Sequence, residues 1–162
     1  FAKQFEECQA SPMPTAAPTS KPRGTRAQED YLEQIHTLIE DKGYARVVDI
    51  AGNLGIAQAS VTGMIQRMDA DGLVSYEKYR GVVLTDDGEQ IALAIIRRHE
   101  ELTNFLELFG LDAATIYEDV EGMEHHISPE TLAAIISLTA ELQRQPALVK
   151  RVQERMKQIR RA

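Results

Sequence analysis

Apolar residues recur at three- and four-residue intervals along most of this chain, and glycine or proline interrupts the pattern at regular points. From Gln28 the stripe Leu32, Ile35, Leu38 and Ile39 predicts an amphipathic helix that Gly43 closes. Val47 to Leu54 predicts a second, short helix, with Ile50, Ala51 and Leu54 inward and Gly55 as its stop. A third helix, from Gln58 to Asp71, turns Val61, Met64, Ile65 and Met68 to the core before Gly72. Ala57 stands at its N-cap, where a hydroxyl is usual. Two short runs of β character follow, Leu73 to Tyr76 and Val82 to Leu84, and the loop Glu77 to Gly81 between them predicts a hairpin. A long helix then runs from Asp86 or Asp87 to Phe109, with Ile91, Ile95, Leu102, Phe105, Leu106 and Phe109 inward and Gly110 as its stop. A helix from Ala113 to His126 comes next. Ser128 as N-cap and Pro129 at the first helical position open another, from Glu130 to Leu142. Pro146 starts a terminal helical segment rich in Lys and Arg, and no internal repeat is present.

Helix, short helix, glycine turn, third helix and hairpin is a winged helix-turn-helix order. Such a third helix enters the major groove, so its outward residues are the candidate DNA contacts. They are Gln58, Ser60, Thr62, Gly63, Gln66 and Arg67, with Lys78 and Arg80 of the wing directed at the sugar-phosphate backbone. Gln pairs with adenine, Arg with guanine or phosphate, and hydroxyls with either. The predicted class is mainly α: an N-terminal winged helix-turn-helix over residues 27–85, then an all-helical domain over 86–162. Residues 1–26, with four of the six prolines and the basic residues Lys21, Arg23 and Arg26, read as a disordered leader.

A net charge of −7 argues against a constitutive nucleic-acid binder, because phosphate contacts require Lys and Arg. The acidity takes a different meaning if part of it is gathered where cations neutralise it. Glu121, Glu124 and His125 are spaced i, i+3 and i+4, which on a helix places two carboxylates and an imidazole on one face. Asp30 and Glu33 sit at i, i+3 on the first helix, opposite its core stripe, and His99 lies inward between Ile95 and Leu102. A histidine there is ordinarily a satisfied core residue, and surface acids ordinarily only complement the helix dipole. Together, however, the six make four carboxylates and two imidazoles from three helices, too many for one octahedral ion that keeps any water, and carboxylates bridge readily, which favours two ions. Oxygen and nitrogen donors without thiolate suit Mn²⁺ or Fe²⁺. Two divalent ions would bring the nominal charge from −7 to about −3. The single Cys8 excludes a thiolate centre and an intrachain disulfide. With no apolar run of membrane length and no signal peptide, a soluble cytoplasmic protein is expected.

Residues 28 to 142 resemble the manganese-responsive MntR branch of the DtxR/MntR metalloregulators. The resemblance rests on Glu29-Asp-Tyr-Leu-Glu-Gln-Ile35, Gly43-Tyr-Ala-Arg-Val47, Tyr76-Glu-Lys-Tyr-Arg-Gly81, Arg98-His99-Glu100 and Asp119-Val-Glu-Gly-Met-Glu-His-His126. It implies that Asp30, Glu33, His99, Glu121, Glu124 and His125 are the metal ligands and that His126 is not. It further implies that residues 86–162 are an all-helical metal-binding and dimerisation domain, and that the protein is a homodimer repressing manganese-uptake and homeostasis genes by binding near-palindromic double-stranded operator DNA. Mn²⁺, two per chain, is the implied cofactor, with Fe²⁺, Co²⁺ or Cd²⁺ as substitutes; no membrane, organic substrate or catalytic residue is implied. Gly63 departs from the family's usual Lys, and Ala57 from its polar cap. Two other classes compete: a metal-independent winged-helix regulator with a structural ion, and a dinuclear metallohydrolase, for which the chain offers no nucleophile or general base beside the ligands.

Overall fold

The computed structural model describes residues 25–77, 79 and 81–161. Lys78, Arg80 and the segment 1–24, including Cys8, Lys21 and Arg23, lie outside the described residues. In chain order the elements are α1 (Arg26–Lys42), α2 (Val47–Leu54), α3 (Gln58–Ala70), β1 (Val74–Glu77), β2 (Gly81–Leu84), α4 (Asp86–Glu107), α5 (Ala113–Met123), α6 (Pro129–Gln143) and α7 (Pro146–Ile159).

Local chemistry accounts for the helix ends. The hydroxyl of Thr25 accepts from Gln28 N, and the Gln28 side chain accepts in return from Thr25 N, a capping box that starts α1 two residues before the expected point. Gly43 ends it in the left-handed conformation, φ 77°, with its N–H donated to Ile39 O. Ser128 caps α6 with Pro129 in its first turn, as the Ser-Pro pair predicts.

The hairpin is antiparallel, with Val74 opposite Leu84 and Glu77 opposite Gly81. Its first strand lies one residue later than expected, because Leu73 N closes the end of α3 on Met68 O. Helix α4 ends at Glu107 rather than Phe109; tighter bonds from Phe109 N to Leu106 O and Gly110 N to Glu107 O finish it. Helix α5 ends at Met123, three residues short of the expected His126.

Two cores result. Leu32, Ile35 and Leu38 of α1 close with Ile50, Val61, Met68, Val74 and Val82 around the winged helix. Leu102, Ile116 and Val120 form the second, with Leu106, Ile127, Leu132 and Ile135 packed against it. Helix α1 packs on α2 and also on α4. Its face away from the first core is half-buried at Asp30 and Glu33 and borders the second half of the molecule. No helix among the described residues is long and apolar enough to cross a membrane.

Candidate metal centre

The acidic face of α1, the middle of α4 and the end of α5 converge. Asp30 and Glu33 come from α1, His99 from α4 and Glu121 from the last turn of α5. Glu124 is the C-cap of α5 and keeps helical angles, whereas His125 follows in the turn. The shared helical face expected for Glu121, Glu124 and His125 therefore holds only as far as Glu124. The helix stops because the Glu124 carbonyl is taken by Arg98 Nη1 at 2.6 Å while His126 N and Ile127 N both turn back to Met123 O. His125 reaches the same site from the turn.

The Glu124 side chain is 1 % exposed and spans the site with its two oxygens. Oε2 lies 2.9 Å from His99 Nδ1, and Oε1 lies 3.4 Å from His125 Nε2. Asp30 Oδ1 is also 3.4 Å from His125 Nε2. His99, Glu121 and Glu124 each offer a ligand atom within 4.8 Å of the others, the one such grouping among the described residues. Asp30, Glu33, His99 and Glu121 line a cleft of about 480 Å³, with Arg26 and Tyr117 at its wall. All six residues are thus drawn to one junction, in two lobes joined by Glu124.

Electrostatics at this junction favour a cation. Burial pushes the Glu33 carboxyl above its ordinary value, and the neighbouring charges of Glu124, Glu121 and Asp30 push it further, with His99 opposing. Carboxylate and imidazole donors without thiolate fit a hard or borderline divalent ion, and an ion would relieve the crowding of negative charge.

Two participants have no role in the reading of the sequence. Glu29 is 5 % exposed and Arg98 is 9 % exposed; their side chains meet at 3.5 Å, and Glu29 Oε2 lies 3.1 Å from His125 Nδ1. Arg98 carried a signal, because Ile91, Ile95, Arg98 and Leu102 continue one helical stripe and its position is a core position.

On the opposite side of the winged helix, Gln58, Ser60, Thr62, Gln66 and Arg67 are exposed along α3, and Gly63 is half-buried. Val61, Ile65 and Met68 are buried beneath them. Thr62 donates its hydroxyl hydrogen to Gln58 O at 3.0 Å, which leaves an oxygen lone pair outward.

Residues 25–82 match the family description "Iron dependent repressor, N-terminal DNA binding domain", and residues 85–152 match "Iron dependent repressor, metal binding and dimerisation domain". The chain is 46 % identical over 129 residues to the HTH-type transcriptional regulator MntR of Lysinibacillus sphaericus, covering 80 % of this chain and 93 % of that protein. It is 54 % identical over 104 residues to the MntR of Bacillus subtilis, covering 64 % of this chain and 73 % of that one. Among solved structures, that of the manganese regulator SloR superposes with a TM-score of 0.61 at 27 % identity, over 68 % of this chain and 52 % of that one. A winged helix joined through a carboxylate–imidazole site to a helical dimerisation domain defines a metal-dependent DNA-binding repressor. The chain belongs to the MntR branch of the DtxR/MntR family.

Proposed function

We propose that this protein is a Mn²⁺-activated homodimeric repressor of manganese-uptake and homeostasis genes, acting in the cytoplasm on near-palindromic operator DNA. The observation that carries the reading is Glu124, buried between His99 and His125 with one oxygen toward each, where α1 meets α4 and α5. Asp30 and Glu33 belong to the first helix of the DNA-binding half, while His99, Glu121, Glu124 and His125 belong to the other half. Two ions shared among these six residues would tie the halves together and fix the separation of two α3 helices across a dimer. The two-lobed donor set supports two ions per chain. Bound Mn²⁺ supplies positive charge that offsets the crowded carboxylates. Affinity for DNA then rises because the geometry that binds DNA is already ordered. Similarity to proteins named for manganese supports Mn²⁺ over other divalent ions, with Fe²⁺, Co²⁺ and Cd²⁺ as substitutes of matching donor preference. Gln58, Ser60, Thr62, Gln66 and Arg67 are assigned to base edges and phosphates, and Lys78 and Arg80 to the backbone.

The test is retention of genomic fragments on the purified protein at ~0.15 M salt, where weak ionic binding is suppressed. Retention of a few fragments with Mn²⁺, and of none with chelator, is the expected result, and Glu33→Ala and Glu121→Ala should each abolish it with the fold intact. Equal retention with and without metal, or a full Mn²⁺ response in both variants, would overturn the reading.

A further inference from the structure

Glu29 lies one residue before Asp30, yet it turns into the protein and is 5 % exposed. Two cationic or donor groups converge on its Oε2: Arg98 Nη1 at 3.5 Å and His125 Nδ1 at 3.1 Å. The same Arg98 nitrogen donates to the Glu124 carbonyl at 2.6 Å. The imidazole of His125, with its side chain 3 % exposed, therefore has both nitrogens committed to carboxylates. Nδ1 faces Glu29; Nε2 faces Asp30 Oδ1 and Glu124 Oε1, each at 3.4 Å.

We infer that Glu29 and Arg98 are positioning residues that set His125 as a metal ligand through Nε2. The inference rests on the proposed metal-binding function. A neutral imidazole carries one ring proton, and the hydrogen bond that its other nitrogen makes decides where that proton sits. With the proton on Nδ1, the ring donates to Glu29 and leaves the Nε2 lone pair toward Asp30 and Glu124. A carboxylate behind a ligating histidine in this way fixes ring orientation and raises ligand basicity. Glu29 itself stays out of the ligand set because its charge is matched by Arg98 at 3.5 Å.

Arg98 has a second task. By accepting the guanidinium hydrogen bond, the Glu124 carbonyl at the end of α5 gains a partner that the helix can no longer supply. Glu124 and His125 are thereby presented by a fixed turn rather than a fraying helix end. Since Glu29 belongs to α1, the pair also couples that turn to the DNA-binding half, independently of the metal.

The decisive experiment uses the full chain in two readouts. With Cd²⁺ bound as a diamagnetic stand-in, ring ¹⁵N shifts of His125 should give a protonated Nδ1 and a metal-bound Nε2; Glu29→Gln, which keeps the shape of the side chain, should lose that single arrangement. Mn²⁺ titration followed by electron paramagnetic resonance should show roughly 10- to 100-fold weaker uptake in Glu29→Gln. Ile116→Val, a small loss in the second core, controls for stability alone and should titrate as the wild type does. A metal-bound Nδ1 in the wild type, or wild-type uptake by Glu29→Gln, overturns the assignment, as does equal weakening in Ile116→Val. If the wild type takes up no Mn²⁺, the proposed function fails; Mn²⁺ uptake that Glu29→Gln leaves unchanged fails this inference alone.

Discussion

The buried carboxylate of Glu124 meets the imidazole of His99 at 2.9 Å, across the boundary between α4 and the end of α5. Its other oxygen faces His125, so no single substitution at the site touches both lobes as directly. Glu124→Gln preserves volume but removes a charge that both lobes share. We expect its Mn²⁺ affinity, measured by calorimetry, to fall by more than the roughly 10- to 100-fold typical of losing a partner behind a ligand. Loss confined to one of two ions would instead show that Glu124 serves a single lobe.

Glu33 predicts a pH dependence of the metal-free protein. Burial first, and the charges of Glu124, Glu121 and Asp30 after it, raise its carboxyl above 4.5 in the folded state. A raised carboxyl binds its proton more tightly when folded, so its favourable contribution is complete below its ordinary pH range and is lost as pH rises through the folded value. At neutral pH the ionised Glu33 therefore weakens the metal-free fold. Glu33→Gln should melt higher than the wild type at pH 7 with chelator present, and the gap should shrink toward pH 4.5. Mn²⁺ should raise the melting temperature of the wild type and leave the variant unmoved. A variant that melts lower than the wild type at pH 7 would contradict this account.

Most of this centre was legible because its residues sit at helical spacings in α1, α4 and α5. Asp30 and Glu33 lie opposite the α1 stripe as its period requires, but the stripe cannot say that His99 of α4 lines the same cleft. Conversely, the end of α5 was misjudged. Periodicity continues through His125, and only the long-range bond from Arg98 to the Glu124 carbonyl, 26 residues apart in the chain, shows where the helix stops. The burial of Glu29 was hidden for the same reason, since its partners lie 69 and 96 residues away. The capping box at Thr25 and Gln28, by contrast, was readable in the sequence and marks the true start of α1.

Where the hairpin meets α4 there is no spare room. A Cβ on Gly88 would lie 1.9 Å from Leu73 O, against backbone that Thr85 N also holds by a 3.1 Å hydrogen bond. Thr85 Oγ1 donates to Gly72 O at 2.7 Å and accepts from Gly88 N at 3.1 Å, so the first turn of α4 is pinned to the base of the wing. Gly88→Ala should cost about 1–3 kcal/mol as α4 is pushed away, read as a lower urea midpoint. An unchanged midpoint would mean that the wing yields freely to α4.

Arg67 and Gln66 separate the two kinds of DNA contact expected of α3. Both are exposed, while Ile65 and Met68 beside them are buried, so their substitution leaves the core intact. The Arg67 charge acts on the hydroxyl of Tyr31, whose pKa is raised chiefly by burial and lowered in part by that guanidinium. Arg67 is exposed toward the C-terminal end of α3, where a phosphate contact is the natural role. Arg67→Ala should weaken binding to all sequences alike and reduce the slope of log affinity against log salt by about 0.9. Gln66→Ala should leave that slope unchanged and cost about 1–3 kcal/mol of preference for the operator over a mutated site. Fluorescence anisotropy in saturating Mn²⁺, across a range of salt, measures both quantities. If neither variant alters affinity, α3 does not carry the DNA contacts.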